Sequence, residues 1–239
     1  MLTIISLLMA VIPALFLVRY FYKKDNLKPE PKGLIRKIFL LGILSTIPAI
    51  ILELLVTNFK DLFTSNPIIV IAFEAFIVAG LCEEWIKYKV VYHFAYKRSE
   101  FDEIMDGIVY TVVASLGFAC MENVLYVING GINVALMRAF TAVPMHAFTS
   151  GIMGYYIGQA KFDEANKKKY FRKGLIIAIL IHGFYNFLLL GSPVFSKLWG
   201  ETAGGLIALG VIPLLIILFI HIKKLMIRAK ESDRLAGRV

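Results

Sequence analysis

The 239-residue chain has only two cysteines, Cys82 and Cys120. Neither belongs to a CxxC pair or a zinc-knuckle spacing, so both read as small buried apolar residues rather than a redox couple. Charge is also scarce: Asp, Glu, Lys and Arg make up 18% of residues, below the ~25% usual in soluble domains. There is no low-complexity segment and no internal repeat strong enough to use. The order that marks a cleavable signal peptide, basic residues before an apolar run, is missing, because Arg19, Lys23 and Lys24 follow the first run. The expectation is a retained first helix. Hydrophobic residues, by contrast, reach 59% and come in long runs, the pattern of bilayer-spanning helices rather than amphipathic ones. The net charge of +9 is confined to the connections between these runs. It therefore reports orientation and contact with anionic lipid, not a nucleic-acid surface.

The expected architecture is all-α and polytopic, one integral membrane domain over residues 1–222 with a basic cytoplasmic tail at 223–239. About seven spans are read, near 2–21, 38–57, 67–93, 104–128, 133–159, 174–191 and 203–222, each close to the ~20 residues that a bilayer requires. The first, third and fifth connections and the tail are rich in Lys and Arg. The intervening ones are poor, with Lys60 and Lys197, and Arg138 just inside the fifth span. By the positive-inside rule this places the N-terminus outside and the C-terminus in the cytoplasm of a multi-pass cell-membrane protein. The small residues Gly154 and Gly158, in GxxxG spacing, and Gly107, Ala114, Gly117 and Ala119 read as close helix packing within the chain.

Polar residues at membrane depth carry the chemistry. An ionised residue near the centre of a span costs ~2.5–3.5 kcal/mol, against ~0.3–0.6 gained per Leu or Ile. The third span nevertheless holds Glu83, Glu84, Lys87 and Lys89. Lys87 is placed to pair with either glutamate, and Lys89 to snorkel. An ion pair between helices would explain this, but two close carboxylates also shift one another's protonation and can activate water. His146 and His182 lie mid-span on the fifth and sixth runs, whereas His93 and His221 sit at span ends and read as interfacial. Asn186 is one turn from His182, so the two share a face and could hold an oxyanion. Pro144 can kink the helix before His146. Glu122 and Asn123 add polar groups to the fourth span. His146, His182 and Glu122 or Glu83 would make a zinc-type donor set, although the helical HExxH motif is absent, so a metal stays an open alternative. Glu53 and Glu74 read as peripheral, Arg138 as interfacial, and Asp106 as a helix cap.

EExxK (Glu83, Glu84, Lys87), DGIVY (Asp106 to Tyr110), GFAxxEN (Gly117 to Asn123), His146 and HGxxN (His182 to Asn186) occur in that order. Together they resemble the PrsW family of bacterial intramembrane proteases, over most of the chain. Ala142 stands where the related CAAX prenyl proteases have Phe, and Lys87 where they often have Arg, which favours the PrsW branch. The resemblance implies a first, extracytoplasmic cut in a membrane-anchored anti-sigma factor, ahead of an envelope-stress response. It also implies that Glu83 and a histidine, carried over as His146, activate water while His182 and Asn186 stabilise the oxyanion. Glu84 and Lys87 would tune the base, with Glu122 and Asn123 in support. Two other readings are a proton-coupled transporter using the buried Glu, His and Lys, and a non-catalytic membrane scaffold.

Overall fold

The computed structural model describes residues 2–59 and 66–239. Lys60, used above for orientation, lies outside them. The described residues form ten α-helices in order: α1 (Leu2–Lys24), α2 (Lys32–Leu44), α3 (Thr46–Thr57), α4 (Pro67–Phe73), α5 (Cys82–Phe94), α6 (Ile104–Phe140), α7 (Ala142–Phe162), α8 (Lys167–Trp199), α9 (Glu201–Leu209) and α10 (Val211–Leu235). Among the described residues there is no strand. Five helical stretches of the described residues are long and apolar enough to cross a membrane: Ile4–Lys24, Lys32–Thr57, Ile104–Phe162, Glu164–Trp199 and Glu201–Leu235. Ile104–Phe162 contains two of the expected spans, and the charged stretch at 67–93 is helical but lies outside these five. Large apolar side chains such as Phe16, Leu54, Phe140 and Ile217 point outward, as they must when the surrounding solvent is lipid.

Local breaks have readable causes. Pro48 has no N–H to give to the carbonyl of Leu44. Beside it Ser45 and Thr46 turn their hydroxyls back onto the carbonyls of Gly42 and Ile43, both at 2.7 Å. The helix divides there into α2 and α3. Between α4 and α5 the chain winds as a π-helix over Glu74–Leu81. Such wide turns change the angular phase of everything that follows and recur at functional sites; here the next residues are Cys82, Glu83 and Glu84. In α6, Gly131 has φ 68°, a left-handed value suited to glycine. The helix reverses at that point. Fifteen helical residues would span ~22 Å, yet Arg138 Nε lies 2.7 Å from Asn123 Oδ1.

α6 and α7 form the centre of the bundle. Their apolar window is 94% buried, against 17% for that of α9 and α10. Small residues allow the approach: a Cβ on Gly154 would stand 2.2 Å from the carbonyl oxygen of Gly107, and one on Gly107 2.3 Å from that of Gly154. The GxxxG face read from sequence thus packs within the chain. Gly154→Ala is expected to cost about 3 kcal/mol, the upper end of overpacking costs, because the obstacle is backbone. The midpoint of unfolding in mixed detergent–SDS micelles would show it. α2 crosses α6 in the same manner, with Gly42 against Ala114 and Gly117 against Phe39.

The basic connections gather at one end of the bundle. Lys28 reaches Asp102, Lys161 reaches the carbonyls of Tyr96 and Arg98, and Lys230 reaches Asn26 at 2.6 Å. α10 runs past residue 222 to Leu235, and its Asp233 is buried. The Asp233 carboxylate accepts the Ile104 N–H at 2.9 Å and the Met105 N–H at 3.2 Å. Asp106 accepts the N–H groups of Asp102 and Glu103, so it caps α6 as expected.

Candidate active site

Glu83, Glu84 and Lys87 come from the first turns of α5, His146 from α7, His182 from α8 and Glu122 from α6. All except Glu122 are essentially buried. Lys87 is the hub. Its ammonium lies 2.9 Å from Glu83 Oε2, 2.8 Å from Glu84 Oε1 and 3.0 Å from His146 Nδ1. An ammonium has three protons and accepts nothing, so these three contacts use its whole capacity. His146 Nδ1 is therefore an acceptor, and its Nε2–H donates to Glu122 Oε2 at 2.9 Å. Glu122 is also paired with Arg138, at 2.9 Å. The Lys87 charge lies over the Phe118 ring, 4.3 Å from its centre.

Both oxygens of Glu84 are engaged. Besides Lys87 it accepts His182 Nδ1–H at 2.8 Å and the Ser150 hydroxyl at 3.4 Å. That fixes the tautomer of neutral His182, whose Nε2 then faces Glu83 Oε2 at 3.9 Å. The two imidazole rings meet edge to face with centres 5.1 Å apart. Ser115 donates to the His146 carbonyl at 3.1 Å and ties α6 to α7 at this level. The Phe76 ring of the π-helix lies where a side chain on Gly183 would stand, so Gly183 lets that segment approach α8 beside His182.

A cavity of about 310 Å³ opens next to this cluster. Its lining includes Glu53, Glu83, Glu122, Tyr126, Arg138 and Asn186. Of the four residues Glu83, Glu84, His146 and His182, only Glu83 borders it. Asn186 faces the cavity, and Asn123 instead accepts from Arg138.

Two readings change here. Arg138, expected at the interface, belongs to the site, because the reversal at Gly131 folds its helix arm back onto Glu122 and Asn123. Glu53, expected at a wet periphery, lines the cavity with Glu83 and Glu122. Its signal was a single carboxylate inside the otherwise apolar run TIPAIILELLVT. His93 and His221 are exposed, as their places at span ends suggest, and both cysteines are free and buried.

Glu83, Glu84, His146 and His182 each offer one ligand atom, all within 4.8 Å of one another. Two carboxylates and two imidazoles suit a zinc-type ion. Glu122 is displaced from this set, since its contact is with the far nitrogen of His146. Lys87 already holds three of the same four side chains, so an ion and the ammonium compete for them.

Comparison with known proteins identifies the family. Residues 30–220 match the model of the PrsW family intramembrane metalloprotease. Protease PrsW of Geobacillus kaustophilus is 38% identical over 194 residues, covering 81% of this chain and 82% of that protein. The Oceanobacillus iheyensis protein of the same name is 39% identical, covering 82% and 87%, and that of Bacillus subtilis 34%, covering 75% and 80%. No solved structure matches. With the family model spanning most of the chain and helices fit for a bilayer, the chain belongs to the PrsW family and is a multi-pass, membrane-embedded bacterial endopeptidase.

Proposed function

We propose that the protein cuts a membrane-anchored anti-sigma factor on its extracytoplasmic side, with Glu83 as the general base. The observation that carries the assignment of the base is placement: Glu83 is the one carboxylate of the buried cluster that also borders the cavity. Water entering there reaches Glu83 but not the enclosed Glu84. The Lys87 ammonium at 2.9 Å holds the carboxylate in place, and Glu84 positions His182 rather than touching substrate. Deprotonated Glu83 takes the proton from water as its oxygen attacks the peptide carbonyl, and can return it to the departing amine. The Asn186 amide faces the cavity and donates to the oxyanion. His182 Nε2 can join it only as an imidazolium, because neutral His182 has its N–H turned to Glu84. His146, held between Lys87 and Glu122, fixes the wall of the site.

Glu83, Glu84, His146 and His182 are the residues that would hold a metal ion. When bound, such an ion supplies Lewis-acid activation of water and of the peptide carbonyl. The anti-sigma substrate and the side of cleavage rest on the motif resemblance together with the positive-inside orientation, which the gathering of the basic connections at one end supports.

The test is cleavage of a single-pass anti-sigma factor by the purified protein in liposomes, with the product ends located by mass spectrometry. Two products divided near the extracytoplasmic membrane face support the reading. Intact substrate accompanied by a proton current would favour the transporter. Asn186→Ala is expected to lower kcat by ~10²–10³ with little change in KM, as for loss of one oxyanion donor. An equal rise in KM alone would make Asn186 a substrate-binding residue instead.

A further inference from the structure

A second buried acidic cluster lies at the end of the bundle where the basic connections meet, ~24 Å along α6 from Glu122 of the candidate active site. Asp25, Glu30, Glu103, Asp106 and Asp233 are all at most 3% exposed. Two of them are satisfied. Asp233 accepts from the start of α6 and from Arg238 at 2.9 Å. Glu30 accepts the Tyr110 hydroxyl. The other three are satisfied only in part: Asp106 and Glu103 each use one oxygen in the capping box, and Asp106 also lies against Glu30. Among the described residues, both carboxylate oxygens of Asp25, Oε1 of Glu103 and Oδ1 of Asp106 are buried with no well-formed hydrogen bond. The same three side chains each bring one oxygen within 4.8 Å of the others.

Most of the usual ways of neutralising such a group are already committed. The N–H groups at the start of α6 go to Asp233 and, through the capping box, to Glu103. Nearby cations have partners too: Arg238 pairs with Asp233 and Lys28 with Asp102, while Lys230, bonded directly to the neutral Asn26 amide, offsets only part of the charge on Asp25. Burial, with repulsion among the carboxylates, pushes Asp25 up to about 7 and Glu103 up to about 8, the mark of a pocket short of positive charge. Buried carboxylates persist when they are paired or bind a metal. The donors here are oxygen alone, with no imidazole or thiolate, which selects a hard cation over zinc.

We propose that Asp25, Glu103 and Asp106 form a structural site for a hard divalent cation, magnesium, manganese or calcium, that clips the α1–α2 connection to the start of α6. α6 carries Glu122 and Asn123, so the clip would brace the scaffold of the active site without touching it.

The experiment uses the full-length protein in detergent micelles, stripped with chelator and titrated with Mn²⁺ by electron paramagnetic resonance. Thermal midpoints are measured with and without Mg²⁺ or Ca²⁺. The parent protein is expected to bind one Mn²⁺ that Asp25→Asn loses, with affinity falling by at least the ~10–100-fold that even an outer partner of a metal site is worth. The cation-dependent rise in midpoint should vanish with it. Asp25→Asn removes an unpaired buried charge, so its midpoint in chelator should equal or exceed that of the parent. Glu83→Gln should keep both the ion and the rise. Equal Mn²⁺ binding by the parent and Asp25→Asn, or no cation-dependent rise in the parent, would overturn the site and leave protons as what neutralises the cluster. Loss of the ion in Glu83→Gln but not in Asp25→Asn would place it in the membrane cluster and also overturn the proposal.

Discussion

Glu83→Gln, reconstituted in liposomes beside a single-pass substrate, is expected to cleave ~10²–10⁴-fold more slowly than the parent protein, the range that a positioned general base contributes. Glutamine keeps the shape of the side chain, and its carbonyl can still accept from Lys87, so the network at 2.8–3.0 Å should survive. What it cannot do is take a proton from water. The matching Glu84→Gln separates the two carboxylates. Glu84 does not border the cavity and is bonded to Lys87, His182 and Ser150. Its replacement should act through the orientation of His182, with a smaller loss and an altered pH profile. Parent-like cleavage by a folded Glu83→Gln protein would remove Glu83 as the base. A larger loss in Glu84→Gln would exchange the two roles.

Lys87→Met should give the largest change in stability, a loss of ~3–5 kcal/mol, the cost of breaking a buried ion pair by removing one partner. Methionine fills similar volume, but it leaves Glu83 and Glu84 buried without their cation and His146 Nδ1 without its donor. Unfolding in mixed SDS micelles would measure it. Adding Glu83→Gln to Lys87→Met should recover part of the loss, because one uncompensated charge is then gone; no recovery would mean that Lys87 acts through packing alone. Zinc supplies a further discriminator. If Lys87 and a metal compete for the same donors, zinc should restore stability to Lys87→Met while doing little for the parent. Equal zinc effects on the two would show that the ammonium and the ion do not share a place.

Asp233 and Arg138 show where linear reading stops. Asp233 stands in a basic terminal stretch with nothing local to single it out, yet it accepts the first N–H groups of α6, 129 residues away in the chain. Arg138 reads as a snorkelling side chain because it follows an apolar run. Nothing local announces that Gly131 will reverse the helix and deliver it to Glu122. A Gly-Gly pair at 130 and 131 was the available hint, but a glycine permits a reversal without requiring one.

The surrounding solvent and the candidate site residues were legible in the linear chain. Apolar runs of bilayer length require helices, because each buried N–H and C=O must be satisfied within its own segment. Ionisable residues placed within such runs, against their transfer cost, marked Glu83, Glu84, Lys87, Glu122, His146 and His182 before any contact was known. Which partners each of them meets came from the fold. It divided the adjacent glutamates into one that meets the cavity and one that is wholly enclosed, gave Lys87 three partners from two helices, and brought Glu53 and Arg138 into the same wall. The physical reason is that transfer energy belongs to a residue and its depth, whereas hydrogen-bond capacity is settled between residues. Which donor meets which acceptor depends on the phase of a π-turn, a reversal at one glycine, and how closely α6 and α7 can approach.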